Sequence, residues 1–323
     1  MPARPLVLVH GGAGRWSLVF EAAREAGVEI TEERVMRAVE AAAHRGLKTL
    51  LSTGDPVSAV VEAVAYMEDS GLFNAGVGSS LDASGGLSMD AGVMRDTPLA
   101  AGGVACVRIP RNPVRLARYV MEETGHVIMC GEPADRLAAR IGLPPHPGPS
   151  PRAKALHRLL VGKARKWEEG FEYYRQALNR AEKLGFLTGD TVGAVAVAPD
   201  GRTAAAVSTG GTALKLPGRV GDSPLPGAGY YALPNAGAAA ATGRGESIML
   251  AQLTGTAVSL LREGLRPGDA AWEALSRMRR LTGERGGLIL VSKGGEYAAA
   301  FNTEAMPWAV ATPERSGSGL WGR

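Results

Sequence analysis

The sequence predicts an α+β fold in which two β-sheets pack face to face between outer layers of helices, a four-layer αββα sandwich. Strands and helices come in blocks instead of alternating strictly, which favours this arrangement over a parallel α/β sheet. The chain is 45% hydrophobic but only 5% aromatic and contains 44 glycines, which suits closely packed layers and tight turns. Its 323 residues can form one domain with a large core.

In the first half of the chain, residues 6–10 form a short apolar strand that ends in a Gly-Gly-Ala-Gly loop. Thr31 predicts a helix start because two glutamates follow in the first turn. Asp55 and Pro56 predict another start, for a helix that continues to about residue 67. The other predicted elements here are loop and short strands over 72–95, a buried strand over 102–109 and a helix over 113–123.

Residues 142–190 read as a linker region. Five prolines within 142–151 exclude a helix interior or a central strand. A charged helical stretch follows over about 152–183, and we interpret it as a solvated helix, with nucleic-acid binding as the weaker alternative.

After residue 190 the chain becomes apolar again. Residues 192–198 and 203–209 predict a hairpin around the turn Pro-Asp-Gly. Two helices are expected over 246–264 and 267–282, and a second hairpin over 287–293 and 297–302. We see no internal repeat of fixed period.

Composition limits the possible functions. The net charge is +4 with lysine and arginine spread along the chain, so no nucleic-acid partner is expected. Cys106 and Cys130 have no metal-ligand spacing, and Cys106 lies in an apolar run that predicts a buried small side chain. The first residues contain no signal-peptide pattern and no apolar run reaches 18 residues, so we expect a cytoplasmic protein with no membrane association.

Thr191 stands at the start of the apolar strand, directly after a Gly-Asp turn. That position suits a threonine that becomes a new N-terminus when the chain cuts itself. An N-terminal threonine carries its own nucleophile, the hydroxyl, and its own base, the α-amine. The amine has a reference pKa of about 7.7–8.0, so part of it is neutral near pH 7 without help from a histidine.

Other residues downstream fit the same chemistry. Thr209 ends the strand expected to pair with that of Thr191, which would bring the two threonines together. Thr242 lies in a glycine-rich turn before a helix, where backbone N–H groups suit an oxyanion or a carboxylate. Arg219 and Asp222 are three residues apart in a loop of Gly and Pro, and together they could hold the carboxylate and ammonium groups of an amino acid.

These motifs resemble the N-terminal nucleophile hydrolases of the plant-type L-asparaginase and isoaspartyl peptidase family. The resemblance spans nearly the whole chain. Its motifs are His-Gly-Gly-Ala-Gly at 10–14, Leu-Phe-Asn-Ala-Gly at 72–76, Thr-Val-Gly-Ala-Val at 191–195, Ser-Thr-Gly-Gly at 208–211, Gly-Arg-Val-Gly-Asp-Ser-Pro at 218–224, Thr-Gly at 242–243 and Phe-Asn-Thr at 301–303. The family implies an αββα sandwich made as a precursor and cut between Asp190 and Thr191. An α chain of residues 1–190 and a β chain of 191–323 would then stay folded together as one domain.

The resemblance also implies roles for individual residues. Thr191 is the nucleophile, and Thr209 hydrogen-bonds it and tunes it. Thr242 and the Gly243 amide form the oxyanion hole, and Asn74 lies beside the nucleophile. Arg219 holds the substrate α-carboxylate, and Asp222 holds the α-ammonium with help from Gly245.

The implied substrate is L-asparagine or a β-aspartyl dipeptide, and the implied assembly is a homodimer of αβ heterodimers. No cofactor is required. A structural sodium ion is possible in the loop from Met67 to Val77, and its ligands would be backbone carbonyls. Those carbonyls belong to Met67, Glu68, Ser70, Phe73, Ala75 and Val77.

The sequence departs from the family pattern at a few positions. Asp190 replaces a common glycine, as in glycosylasparaginase and taspase, and Leu214 replaces a frequent asparagine. Arg244 occupies a usually small or polar position, where it could narrow the pocket or add positive charge. Residues 305–308 read Ala-Met-Pro-Trp where Gly-Met-Tyr-Arg is usual.

Alternatives remain open at this point. They are a taspase-like endopeptidase, a glycosylasparaginase-like amidase and an uncleaved pseudoenzyme that binds aspartate through Arg219 and Asp222. The loop at 11–14 lacks the full spacing of a dinucleotide-binding motif. His10 is interpreted as a structural residue that closes this loop, not as a catalytic one.

Overall fold

The computed structural model describes residues 3–25, 27–161, 179 and 191–321, and the described residues form two sheets. The larger sheet has eight strands in the order β12 (Ser316–Trp321), β11 (Ala305–Ala311), β1 (Leu6–His10), β5 (Val192–Val197), β6 (Thr203–Thr209), β2 (Met89–Arg95), β3 (Ala100–Val107) and β4 (Ile128–Cys130). The smaller sheet has four strands in the order β10 (Tyr297–Phe301), β9 (Gly286–Ser292), β8 (Gly237–Gly243) and β7 (Tyr230–Leu233).

Helices cover the outer face of each sheet. The described helices are α1 (Trp16–Glu25), α2 (Glu32–Thr53), α3 (Pro56–Ser70), α4 (Pro113–Glu123), α5 (Gly131–Arg140), α6 (Pro151–Val161), α7 (Gly245–Ala251), α8 (Leu253–Arg262) and α9 (Pro267–Thr282). Helices α2, α3 and α4 pack on the larger sheet, and α8 and α9 pack on the smaller one. The predicted four-layer α+β sandwich is confirmed.

Successive side chains of the larger sheet point to opposite faces and contribute to two different hydrophobic cores. Val7 and Val9 of β1 face the helices, whereas Leu6 and Leu8 face the smaller sheet. In β5, likewise, the valines at 195 and 197 enter the layer between the sheets. A strand directs successive side chains to opposite faces, so strands buried on both faces read as continuous apolar runs.

The predicted helix starts are correct where capping residues mark them. The Thr31 hydroxyl accepts a hydrogen bond from the Arg34 amide (3.3 Å) and begins α2. Asp55 caps α3 by accepting from the amides of Val57 (3.1 Å) and Ser58 (3.0 Å). Both hairpins predicted after residue 190 are also present, as β5–β6 and β9–β10.

The helix predicted over 246–264 is wrong as a single element. Gln252 adopts a left-handed conformation (φ 46°) and separates α7 from α8. The Thr254 hydroxyl then donates to the Ala228 carbonyl (2.9 Å), which fixes the start of α8 beside the smaller sheet. A packing contact 26 residues away decides this break, and no glycine or proline marks it in the sequence.

The linker interpretation needs correction over the residues that the structure describes. Helix α6 is only partly solvated, because Ala153 and Leu156 are buried while Lys154 and Arg158 are exposed. Arg152 is buried as well, and its Nη1 donates to the Gly78 carbonyl (2.9 Å). Most of 162–190, including Asp190, lies outside the described residues.

Cys106 also differs from the prediction. It is half-buried, at a left-handed φ of 55°, where the pairing of β2 with β3 changes register. Its amide donates to the side chain of Asp90 in the neighbouring strand β2, at Oδ1 (2.8 Å), instead of to a main-chain carbonyl. A single apolar run in sequence does not reveal such a bulge.

None of the helices that the structure describes combines the length and apolar character needed to cross a bilayer.

Candidate active site

Thr191 and Thr209 lie at the same end of the β5–β6 pair. Val192 pairs with Ser208, so each threonine is one residue beyond this pair, and both are buried. The Thr209 hydroxyl oxygen accepts a hydrogen bond from the Gly211 amide (2.9 Å), which bends the chain directly after β6. The pairing therefore brings the two residues together as the sequence predicted.

Asn74 connects this corner to the loop after α3. Its Nδ2 donates to the Gly211 carbonyl (2.7 Å), and its main-chain carbonyl accepts from the Gly210 amide (2.9 Å). Its Oδ1 accepts from the Ser80 amide (2.7 Å). A Cβ on Gly210 would lie 2.5 Å from that oxygen, so only glycine allows this close contact.

Thr242 is fully buried near the end of β8 in the smaller sheet. Its Oγ1 accepts from the Ala13 amide (3.0 Å), so the loop after β1 holds the hydroxyl in place. Gly243 follows at φ 144°, where its Cβ would meet the Gly286 Cα at 3.0 Å. We call Thr191, Thr209, Thr242 and Asn74 together the threonine end of the site.

His10 lies beside this end but is not suited to act as a base. Its ring is completely buried, and a Cβ on Gly193 would lie 2.3 Å from its Nε2. Burial lowers the pKa of His10 to about 3, and an interaction with the Thr191 backbone opposes this only in part. The ring is therefore neutral near pH 7, which agrees with a structural role.

Arg219, Asp222 and Gly245 meet at one point, which we call the head-group end. A Cβ on Gly245 would lie 2.7 Å from Arg219 Nη2 and 2.8 Å from Asp222 Oδ1. Asp222 is only 4% exposed, and its Oδ2 has no hydrogen-bond partner among the described residues. Burial raises the pKa of Asp222 to about 7 although the Arg219 guanidinium lowers it.

Two further charged residues near this end were not predicted. Lys215 is 3% exposed, and its Nζ donates to the Ser88 carbonyl (3.0 Å). Burial lowers the pKa of Lys215, and the fully buried Asp90 carboxylate opposes the shift. The sequence marks both Lys215 and Asp90, because each is a single charged residue within an apolar stretch.

Glu246 and Arg244 form separate ion pairs at the turn before α7. Glu246 Oε1 accepts from Arg219 Nε (3.0 Å) and also contacts Arg219 Nη2 (2.9 Å). Partial burial raises the pKa of Glu246, but the Arg219 guanidinium outweighs this and leaves the pKa below its usual value. Arg244 Nη1 pairs with Glu284 (2.6 Å) in an exposed position, so its charge is compensated away from Gly245.

Leu214 has a backbone conformation that explains why asparagine suits its position. Its φ is 59°, in the left-handed region where asparagine is several-fold enriched over other side chains. The side chain is nevertheless fully buried in the core between the larger sheet and its helices. Leucine at this position therefore combines apolar burial with some backbone strain.

The predicted cation loop folds back on the end of α3. A Cβ on Gly76 would lie 2.8 Å from the Glu68 carbonyl oxygen, and one on Gly78 would lie 2.0 Å from the Phe73 carbonyl oxygen. The Glu68 and Phe73 carbonyls, two of the six predicted ligands, therefore each pack against a glycine where a larger side chain would not fit. Backbone carbonyls are ligands that hard cations accept, so this donor set fits such an ion.

A cavity of about 530 Å³ lies away from these residues. It is lined by the β5–β6 turn at 199–202 and by Asp96, Asn235 and Lys293. Because Thr191 precedes β5 and this turn follows it, the cavity and the threonine end lie at opposite ends of the strand.

Comparisons with known proteins identify the family of the chain. The family model described as asparaginase matches residues 3–319. A plant-type L-asparaginase of Pyrobaculum calidifontis is 45% identical over 302 residues, which cover 93% of this chain and 94% of the relative. Proteins named isoaspartyl peptidase/L-asparaginase are similar too, from Bos taurus (38% identity, 98% of this chain and 96% of the relative) and Homo sapiens (39%, 95% and 93%).

Proposed function

This chain is a hydrolase that belongs to the asparaginase family, and from that premise we propose that it cleaves itself before Thr191 and then hydrolyses L-asparagine or β-aspartyl peptides. The observation that carries the proposal is the head-group end. A Cβ on Gly245 would lie 2.7 Å from a guanidinium nitrogen of Arg219 and 2.8 Å from a carboxylate oxygen of Asp222, so both charged groups border the space that this glycine leaves open. An amino acid carries its carboxylate and its ammonium group on one carbon. A guanidinium and a carboxylate side by side in the protein can pair with these two groups.

In the proposed reaction, the Thr191 hydroxyl attacks the side-chain amide carbon of the substrate. The α-amine of Thr191 takes the hydroxyl proton and delivers it to the departing ammonia or amine. A β-aspartyl ester on Thr191 remains, and water hydrolyses it to aspartate. Thr209 hydrogen-bonds the nucleophile, which stands at the same end of the strand pair.

The charge that develops on the carbonyl oxygen needs donors already in place. We assign this role to the Thr242 hydroxyl and the Gly243 amide. The contact of Thr242 with the Ala13 amide supports the assignment, because it holds the threonine before substrate arrives. Asn74 positions the Gly210–Gly211 corner next to the nucleophile.

At the other end of the substrate, Arg219 binds the α-carboxylate and Asp222 binds the α-ammonium, with Gly245 alongside. Asp222 Oδ2 is buried and has no partner among the described residues, so an ammonium group would relieve an unfavourable state of the free protein. A ligand that lacks the α-ammonium leaves Asp222 Oδ2 without this partner, and one that lacks the α-carboxylate leaves Arg219 with Glu246 as its one carboxylate partner among the described residues.

We further propose that the carbonyls of Met67, Glu68, Ser70, Phe73, Ala75 and Val77 hold a structural sodium ion. The ion would fix the loop that carries Asn74 and would take no part in bond breaking. The assembly of two cleaved αβ heterodimers stays a prediction, which light scattering of the cleaved protein tests.

The experiment that tests the proposal is the intact mass of the purified protein under denaturing conditions, followed by an assay of ammonia release from L-asparagine. Two species of residues 1–190 and 191–323, with activity, are expected, and Thr191→Ala should leave one uncut and inactive species. An uncut parent that binds L-aspartate would instead favour the pseudoenzyme. Activity that survives in Thr191→Ala would contradict the mechanism.

A further inference from the structure

The Arg219 guanidinium is surrounded by glycines. A Cβ on Gly221 would lie 2.6 Å from Nη1, one on Gly211 would lie 3.3 Å from Nη1, and one on Gly245 would lie 2.7 Å from Nη2. The glycines leave space for substrate, but they provide no side chains that would restrain the arginine. An unrestrained arginine would lose rotamer entropy when it binds a carboxylate.

Glu246 supplies the restraint that the glycines lack. Among the described residues it is the one side chain that hydrogen-bonds the guanidinium, through Nε (3.0 Å) and with an ion-pair contact to Nη2 (2.9 Å). Nε and Nη2 form one edge of the planar group. Nη1 lies on the opposite side of the group, toward Gly211 and Gly221.

The position of Glu246 suits an orienting role. Its side chain is 49% exposed while that of Arg219 is 17% exposed, so the carboxylate contacts the guanidinium from the solvent side. Asp222 lies on the buried side, near Gly245. A planar guanidinium offers two edges to carboxylates, and an anion on one edge leaves the other available.

We propose that Glu246 is a positioning residue that sets the specificity for an α-carboxylate by holding one edge of Arg219, so that the remaining nitrogen atoms face the substrate. This inference rests on the proposed function of Arg219. The same contact could instead compete with substrate for the guanidinium, and the two roles predict opposite changes in affinity.

The test compares Glu246→Ala and Glu246→Gln with Glu284→Gln in the processed protein. Glu284→Gln is the matched control because it also removes a carboxylate paired with an arginine, but that arginine is Arg244. Each protein is titrated calorimetrically with L-aspartate and with β-alanine, which is aspartate without its α-carboxylate. The KM and kcat for L-asparagine are measured in parallel.

If Glu246 positions Arg219, Glu246→Ala weakens L-aspartate binding and raises the KM for L-asparagine by about tenfold, with kcat within about twofold. Binding of β-alanine stays unchanged, Glu246→Gln recovers part of the loss, and Glu284→Gln behaves as the parent. Tighter L-aspartate binding in Glu246→Ala would overturn the proposal in favour of competition. Unchanged L-aspartate binding, or an equal loss for β-alanine, would overturn it as well.

A parent protein that fails to bind L-aspartate would overturn the proposed function itself. A parent that binds L-aspartate as tightly as Glu246→Ala would overturn the role of Glu246 alone. The two failures are therefore distinguishable within one set of titrations.

Discussion

The threonine end and the head-group end of the site differ in how they treat charge. Beside Thr191, the buried His10 ring is neutral near pH 7, because burial lowers its pKa to about 3. Asp90 lies opposite Thr209 in the register of β2 and β6, and it faces the opposite charge of Lys215. Around the head-group end, Lys215, Asp90, Arg219 and Glu246 bring opposite charges together.

The difference follows from the tasks that we propose for the two ends. A fixed charge close to the Thr191 α-amine would move the pKa of the amine away from its reference of about 7.7–8.0. The neutral His10 ring adds no such charge, so the amine can accept a proton near pH 7. Recognition of a zwitterionic head group, by contrast, needs charges held in place before the ligand arrives. Changes at the threonine end should therefore alter kcat, and changes at the head-group end should alter KM.

Thr242→Val gives the largest expected effect. Loss of one oxyanion donor should lower kcat by about 10²–10³ while KM stays within about threefold. Steady-state assays on L-asparagine measure both constants. Thr203→Val is the matched control, since that buried hydroxyl donates to Asp96 Oδ2 (2.9 Å) at the opposite end of the β5–β6 pair. A change confined to KM would contradict the proposed division between the two ends.

Asp222→Asn should raise KM by about 10- to 100-fold, because a neutral amide of the same shape pairs poorly with the substrate ammonium. The value of kcat should fall much less. The same assays measure both constants, with the exposed Asp200→Asn as a control. If kcat falls and KM is unchanged, Asp222 belongs functionally with the threonines.

The next largest expected effect is a pH dependence of L-aspartate binding. Burial raises the pKa of Asp222 to about 7 in the free protein, so the carboxyl is protonated and unable to pair with an ammonium group below that pH. The affinity for L-aspartate should therefore fall up to about tenfold for each pH unit below about 7. Calorimetric titrations from pH 5 to about 8 test this, and Asp222→Asn should remove the dependence. A flat profile in the parent would mean that another group holds the ammonium.

Glu68→Gln should have the smallest effect on activity. Its effect should appear instead in how the free energy of unfolding depends on pH. Glu68 is fully buried, with Oε1 accepting from the Val114 amide (3.1 Å) at the start of α4. Since burial raises its pKa from 4.5 to about 8, the parent loses stability as the pH rises between these values. Glutamine keeps the acceptor without ionising, so this part of the pH dependence should disappear. Chemical unfolding between pH 5 and about 8.5 measures it, and an identical dependence in the variant would show that Glu68 does not titrate there.

The sequence was informative wherever a local pattern determines structure. Caps at Thr31 and Asp55, the apolar strands and the spacing of Arg219 and Asp222 all act over a few residues. The pairing of β5 with β6 follows from a short turn, so the proximity of Thr191 and Thr209 could be predicted.

Long-range contacts could not be predicted in this way. The Gly221 amide lies 3.5 Å from Asp90, a residue 131 positions earlier, and Glu246 meets Arg219 across 27 positions. The left-handed residues Cys106 and Gln252 escape prediction for the same reason, since tertiary packing fixes their conformations. The burial of one face of α6 could not be predicted, since Arg152 is charged and yet donates to the buried Gly78 carbonyl.

The order of strands in the larger sheet has a consequence for the order of folding and cleavage. β1 hydrogen-bonds to β5 on one side and to β11 on the other, and β2 pairs with β6. If the chain is cut before Thr191, strands from the two products alternate within one sheet, and they can separate only if three strand pairings break. A continuous polypeptide can form such an interleaved sheet without bringing two separate chains together. If the proposed self-cleavage requires the folded sheet, an unfolded chain would not carry the free N-terminal threonine.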